Sequence, residues 1–275
     1  MSDTFKLFRL AVIRRQYYSM FAGEELTRDQ ALRRVFDQEY QYRFNGIDYH
    51  YVPGFNSGSD LIIGKIGRQY TLDENKPPSE GFEETQRTAW KAAYIVVDPY
   101  DHRDGQKAAV EVDQQIGSPS ALLLGLLREI NRRKIDEYYT IEAAPIVDTA
   151  SFWEFAEKNK GSITTIKFEF VVPNMFGTKD QLNDDLRSLR DKEKAKRVSV
   201  TVHSREGLNT DTERTRESVD YIDKAGGEIK ARAKGGKSYL STEQEKRTIV
   251  TDAARDGEEP FARIRRLASM IVGRE

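Results

Sequence analysis

The sequence predicts an α+β protein, and three observations carry that reading. Two strand-type runs, 40–44 and 47–52, flank Asn45-Gly46, the pair favoured by the two positive φ angles of a type I′ hairpin turn. Ser118-Pro119 opens a long helix, with serine as cap and proline in the first turn. Beyond residue 150 the pattern changes to strand, helix, strand, helix, strand. These features predict an N-terminal α+β domain over 1–150, a hairpin-rich antiparallel sheet with a packing helix. They also predict a C-terminal α/β domain over 151–275 whose last strand is basic.

Taken in order, residues 5–13 (FKLFRLAVI) form an opening strand rich in aromatic and branched side chains. Thr27 caps a helix from Arg28 that turns Leu32, Val35 and Phe36 inward. After the first hairpin, 60–70 give a strand interrupted by Gly64 and Gly67, and 73–84, with Pro77-Pro78, read as a polar loop. Residues 92–98 (AAYIVVD) are a buried-type strand that turns through Asp104-Gly105 and returns as 107–112, a second hairpin. The Ser118 helix runs to about Arg133 with Leu122, Leu123, Leu126, Leu127 and Ile130 inward, and 138–146 add a strand. Residues 152–158 are a short aromatic helix joining the halves.

In the second half, 163–172 (ITTIKFEFVV) alternate strictly and stop at Pro173-Asn174. Residues 179–194 form a charged helix with Leu182, Leu186 and Leu189 inward, and 197–203 (RVSVTVH) alternate again. Thr210 or Asp211 starts a helix to about Lys224, and Gly226-Gly227 breaks it into the basic strand. Residues 237–240 and 247–251 form a final strand pair before an amphipathic helix at 260–272.

Composition bounds the function. Of 275 residues, 38% are hydrophobic and 32% charged, enough apolar material for packed cores and against wholesale disorder. The net charge is only −1, so any polyanion site must be a local patch offset by acid elsewhere. The absence of cysteine excludes disulfides, zinc–thiolate sites, iron–sulfur clusters and thiol nucleophiles. Residues 1–9 lack the apolar core of a signal peptide, and no apolar run approaches the roughly 20 residues of a membrane span. A soluble, cytoplasmic protein without membrane contact is expected.

The basic strand is the most informative stretch. Alternation sends Lys230, Arg232 and Lys234 to one face and Ile229, Ala231 and Ala233 to the other, a cationic comb with teeth about 6.7 Å apart. Lys194, Lys196, Arg197 and Arg205 bracket the preceding strand, while Lys237 and Tyr239 follow Gly235-Gly236. Glycines let backbone amides approach phosphate closely, and Tyr239 is placed to stack on a base. The expected nucleic-acid-binding set is therefore Lys196, Arg197, Arg205, Lys230, Arg232, Lys234, Lys237 and Tyr239. The plainer alternative is an edge strand whose lysines prevent aggregation.

No catalytic signature stands out. Glu228-Ile229-Lys230 has the E-x-K spacing of restriction-type nucleases, in which a strand carboxylate holds Mg²⁺ and the lysine helps to activate water. The nearest upstream acids (Asp211, Glu213, Glu217, Asp220 and Asp223) fall in the expected helix, not on a neighbouring strand. His50, His102 and His203 lie in separate segments without metal-ligand spacing, so neither a metal nor another cofactor is expected. Gly235-Gly236-Lys237-Ser238 lacks the first glycine and the following helix of a phosphate-binding loop, which excludes an ATPase. Tyr40, Tyr42, Phe44, Tyr49 and Tyr51 cluster in the first hairpin, as cross-strand packing or as a surface for a partner or self-association through Tyr42, Tyr49 and Tyr51.

The order of elements, with the alternating run at 163–172 ending in Pro173-Asn174 as its sharpest point, resembles bacterial phage-defence-associated proteins of the RexA/KwaB type. The resemblance covers the chain as a pattern of elements and implies sequence-independent DNA binding and dimerisation; no catalytic residue is carried over. The leading expectation is a bacterial anti-phage defence or regulatory protein that binds nucleic acid, DNA in the first instance, through the C-terminal basic strand. The alternatives are a Mg²⁺-dependent nuclease using Glu228 and Lys230, and a non-enzymatic interaction or assembly module.

Overall fold

The computed structural model describes residues 3–15, 26–54, 60–100, 105–171, 185–186, 188–189, 192–193, 195, 197–243, 247–250, 252 and 257–273. Among them twelve strands and five α-helices build two antiparallel sheets, an α+β fold. The first sheet collects β1 (Asp3–Arg14), β2 (Tyr40–Phe44), β3 (Ile47–Pro53), β4 (Ile62–Asn75), β5 (Glu84–Asp98), β6 (Gln106–Glu111), β7 (Tyr139–Pro145) and β12 (Arg247–Val250). Its order is β12-β1-β6-β5-β4-β3-β2. β7 also pairs with β1, over Phe8 to Arg14, whereas β12 takes Asp3 to Lys6. The two therefore lie end to end along one side of β1.

Local chemistry sets the elements. Asn45 and Gly46 adopt φ of 50° and 81°, which closes the β2–β3 hairpin as a primed turn that twists with its strands. Thr27 precedes α1 (Arg28–Phe36), and the Gln30 side chain accepts from its backbone N–H at 3.0 Å. Ser118 Oγ accepts from the Ala121 N–H at the start of α2 (Pro119–Arg133).

The sheet is covered on both faces. On one side α1 and α2 bury Leu32, Phe36, Leu122, Leu126 and Ile130 against Phe8, Leu10, Tyr51, Ile66, Ile95 and Val110. On the other, α5 (Pro260–Ile271) seats Ile264, Leu267 and Ile271 against Phe5, Ile63, Val96 and Val250. Each of those α5 side chains stabilises the fold by about 1.5–3 kcal/mol. A strand packed on both faces reads as a continuous apolar run, which is why 92–98 shows no alternation.

Three expectations need correction. Residues 237–240 and 247–251 do not pair with each other: β12 joins β1, and α5 packs on the first sheet. β12 and α5, counted with the C-terminal half by sequence, thus pack with the first sheet. The polar loop expected at 73–84 is present but shorter, spanning 76–83, because β4 and β5 pair continuously from Ile62–Val97 out to Asn75–Glu84. β3 stops pairing at Gly67 and β6 begins only at Ile95, so the far end is a two-stranded ribbon that needs no apolar alternation. Finally, Tyr42, Tyr49 and Tyr51 are buried, with their hydroxyls donating to Leu122 O, Ile116 O and Phe36 O. They are core, so the hairpin offers no tyrosine surface to a partner.

Beneath α5, burial pushes the Glu111 carboxyl above its ordinary range, while a hydrogen bond from the Tyr94 N–H opposes the shift. A raised acid favours the folded state below its unfolded pKa and loses that contribution as pH rises through the folded value. Glu111→Gln is therefore expected to raise the melting temperature at mildly alkaline pH, with the gain disappearing below the ordinary glutamate value of 4.5. Melting curves across pH check this.

The second sheet is smaller, in the order β11-β10-β8-β9. It comprises β8 (Ile163–Val171), β9 (Arg197–His203), β10 (Gly227–Ala233) and β11 (Ser238–Leu240). α3 (Thr149–Lys158) and α4 (Glu213–Ala225) cover one face, packing Phe152, Ala156, Val219 and Ile222 on Ile166, Phe168, Phe170, Ile229 and Ala231. β9 and β10 run parallel to each other, but β8 lies between them, so every pairing is antiparallel rather than of the α/β type. α4 begins at Glu213, capped by Thr212, slightly later than the sequence suggested. Of the helix expected at 179–194 only scattered residues are described, Leu186 among them and buried; Pro173-Asn174 lies outside the described residues.

Candidate nucleic-acid interface

Among the described residues helices cover only one face of the second sheet, and the other is open. Cross-strand register assigns its side chains in rows: Lys230 beside Lys167 and Thr201, Arg232 beside Thr165 and His203, and Glu228 beside Glu169 and Ser199. Alternation along β10 is complete, since Ile229, Ala231 and Ala233 are buried while Lys230 and Arg232 are exposed. The basic comb is therefore a real surface feature.

Its two ends differ electrostatically. At one end Glu228 and Glu169 face each other across the strands, each neutralised locally. Lys230 lies 3.0 Å from Glu228, and Arg197 and Lys167 lie 2.8 and 3.4 Å from Glu169. The Arg197 guanidinium, hydrogen-bonded to Glu169, holds that carboxyl below its ordinary range. At the other end the C-termini of β9 and β10 bring together His203, Arg205, Arg232, Lys234 and Lys237, all exposed. Arg205, Arg232, Lys234 and Lys237 have no carboxylate partner among the described residues. Lys234 donates instead to a neutral carbonyl, Glu206 O, at 3.1 Å, and His203 Nδ1 pairs with the Thr165 hydroxyl at 3.0 Å.

This end is held by close backbone packing. Gly207 has φ of +123°, and a Cβ there would sit 2.2 Å from Gly161 O, so only glycine lets the loop after β9 settle on the turn before β8. A cleft of about 500 Å³ lies beside the loop, lined by Trp153, Leu208, Glu157, Glu206 and Asp211. Lys160 lines it too, and two of its carboxylates are ion-paired, Glu157 with Lys160 and Asp211 with Arg216.

Of the expected set, Arg197, Arg205, Lys230, Arg232, Lys234 and Lys237 belong to this region, with Arg197 and Lys230 ion-paired. Lys196 lies outside the described residues. Tyr239 is a correction. Its position opposite Ala231 turns it to the helix side, where it is 7% exposed, packs against Phe152 and Phe155, and pairs its hydroxyl with Ser151. It cannot stack on a base.

Sequence reasoning missed Lys167, Thr165, Ser199, Thr201 and His203. Their alternation was legible, but which strands neighbour β10, and in what register, was not. The same register supplies Glu228 with a carboxylate on the adjacent strand, Glu169, a pairing that sequence order does not reveal. Even so, no group of three His, Asp or Glu side chains able to hold a metal ion occurs among the described residues.

Fold and site together define an α+β protein with a half-covered antiparallel sheet and a cationic corner on its open face. Compared with known proteins, the chain matches no family model, no curated protein and no solved structure. No helix among the described residues is long and apolar enough to cross a membrane.

Proposed function

We propose that this protein binds nucleic acid, DNA in the first instance, largely independently of sequence, in a bacterial anti-phage defence or regulatory role. One observation carries the binding reading: Arg205, Arg232, Lys234 and Lys237 gather at one corner of the open sheet face, and among the described residues no carboxylate pairs with them. Such cations attract phosphates and release condensed counterions, a contribution blind to base identity. The defence context rests on the resemblance in element order alone.

The test is a titration of unrelated duplexes across a salt series. Four phosphate contacts predict a log–log slope of about −3.6 and similar affinity for every sequence. Affinity indifferent to salt, or no binding to DNA or RNA at low salt, would refute the reading.

A further inference from the structure

We propose that β9 is a self-association edge, at which two copies of this chain pair β9 with β9 antiparallel about Val200. The inference goes beyond nucleic-acid binding and does not depend on it. It starts from how the molecule treats its sheet edges. An open edge presents unpaired N–H and C=O groups that recruit other strands, and folded proteins ordinarily cover or shorten such edges. Here the β2 edge is covered by Arg133, whose guanidinium donates to Glu39 O and Gln41 O, both at 3.4 Å. The β7 edge is covered by Asn131, whose amide accepts from the Ile141 N–H at 2.9 Å and donates to its C=O at 2.8 Å. β11 and β12 are only three and four residues long.

Among the described residues β9 has none of these protections. It is seven residues long, lacks proline and lysine, and pairs with β8 without a bulge from Arg197 to His203. Among the described residues no side chain hydrogen-bonds its backbone. Ser199, Thr201 and His203 are exposed, and Val202 is 43% exposed although it sits on the helix-covered side beside Ile166.

The sequence of the strand selects the occupant. Arg-Val-Ser-Val-Thr-Val-His is self-complementary about its centre. Pairing would set Val198 against Val202 of the second copy, Ser199 against Thr201, and Val200 against Val200. Valines would meet on the helix side and hydroxyls on the open side, as favourable cross-strand pairs require. Arg197, already neutralised by Glu169, would face the imidazole of His203. The product is one sheet of eight strands ending at the short β11 on each side, so growth stops at a two-fold dimer.

Light scattering during size exclusion, at tens of micromolar protein and without nucleic acid, is expected to give twice the chain mass of 31.6 kDa. Val202→Lys, which sets a charge against Val198, is expected to give the single-chain mass and a cooperative melt whose midpoint, unlike that of the unaltered chain, no longer rises with protein concentration. The chain has no cysteine, so Val200→Cys creates a single thiol that should link two copies on oxidation and release them on reduction. Should that variant fail to fold, Ser199→Cys with Thr201→Cys on the exposed face gives the same readout. A single-chain mass for the unaltered protein without cross-linking overturns the proposal. So does a dimer indifferent to Val202→Lys, or an edge that takes up only peptides of other sequence.

Discussion

Alanine at Arg205, Arg232, Lys234 and Lys237 together is expected to weaken duplex DNA binding by roughly 100- to 1,000-fold at about 0.1 M salt, and to flatten the salt slope by about three to four. The counterion-release ceiling for four phosphate contacts at that salt is roughly 4,000-fold, and incomplete contact keeps the observed loss below it. All four side chains are exposed and none sits in a buried network, so the variant should fold as the parent does. Removing Arg43 and Arg87, exposed cations of the first sheet, should leave the slope within about one of its original value. An equal response to both sets would mean that total charge, not the corner of the second sheet, governs binding.

The second large effect concerns stability. Tyr51→Ala is expected to destabilise the protein by about 3–5 kcal/mol, because it empties a fully buried ring site and strips Phe36 O of its donor. Tyr51→Phe keeps the ring and should cost about 1–2 kcal/mol. Denaturant melts separate the two. Burial also holds the Tyr51 hydroxyl above its ordinary range. With the folded pKa raised, the stabilisation is complete below the unfolded value and fails only as pH rises into strong alkali. Tyr51→Phe should leave the salt dependence of binding unchanged, which keeps the hairpin core distinct from the interface. Serine at Tyr42 or Tyr49 should likewise lower the melting temperature, without acting as an interface change.

The particular elements show where sequence reasoning succeeds. Asn45-Gly46, Thr27, Ser118 and the alternation of 163–171, 197–203 and 227–233 are local signals. Backbone preference and side-chain periodicity act over a few residues and need no knowledge of what lies opposite. The exposed comb of Lys230, Arg232 and Lys234 was legible for that reason. The burial of Tyr239 was not, since a three-residue strand after a turn takes its facing from its partner, here Ala231. The same holds for the β4–β5 ribbon, whose polar outer part is strand only because each half pairs with the other.

The sequence by itself determined the α+β class, the hairpin, the long helices and the existence of a cationic strand, since these follow from local propensity and periodicity. Only the tertiary structure decided that β12 and α5 close the first sheet and that Glu169 confronts Glu228. It also decided that, among the described residues, four cations meet at one corner without a carboxylate partner and β9 is left as an open edge. Each of those outcomes is a pairing between residues distant in sequence, fixed by which apolar faces must be buried together. A single chain of letters carries the faces but not their partners.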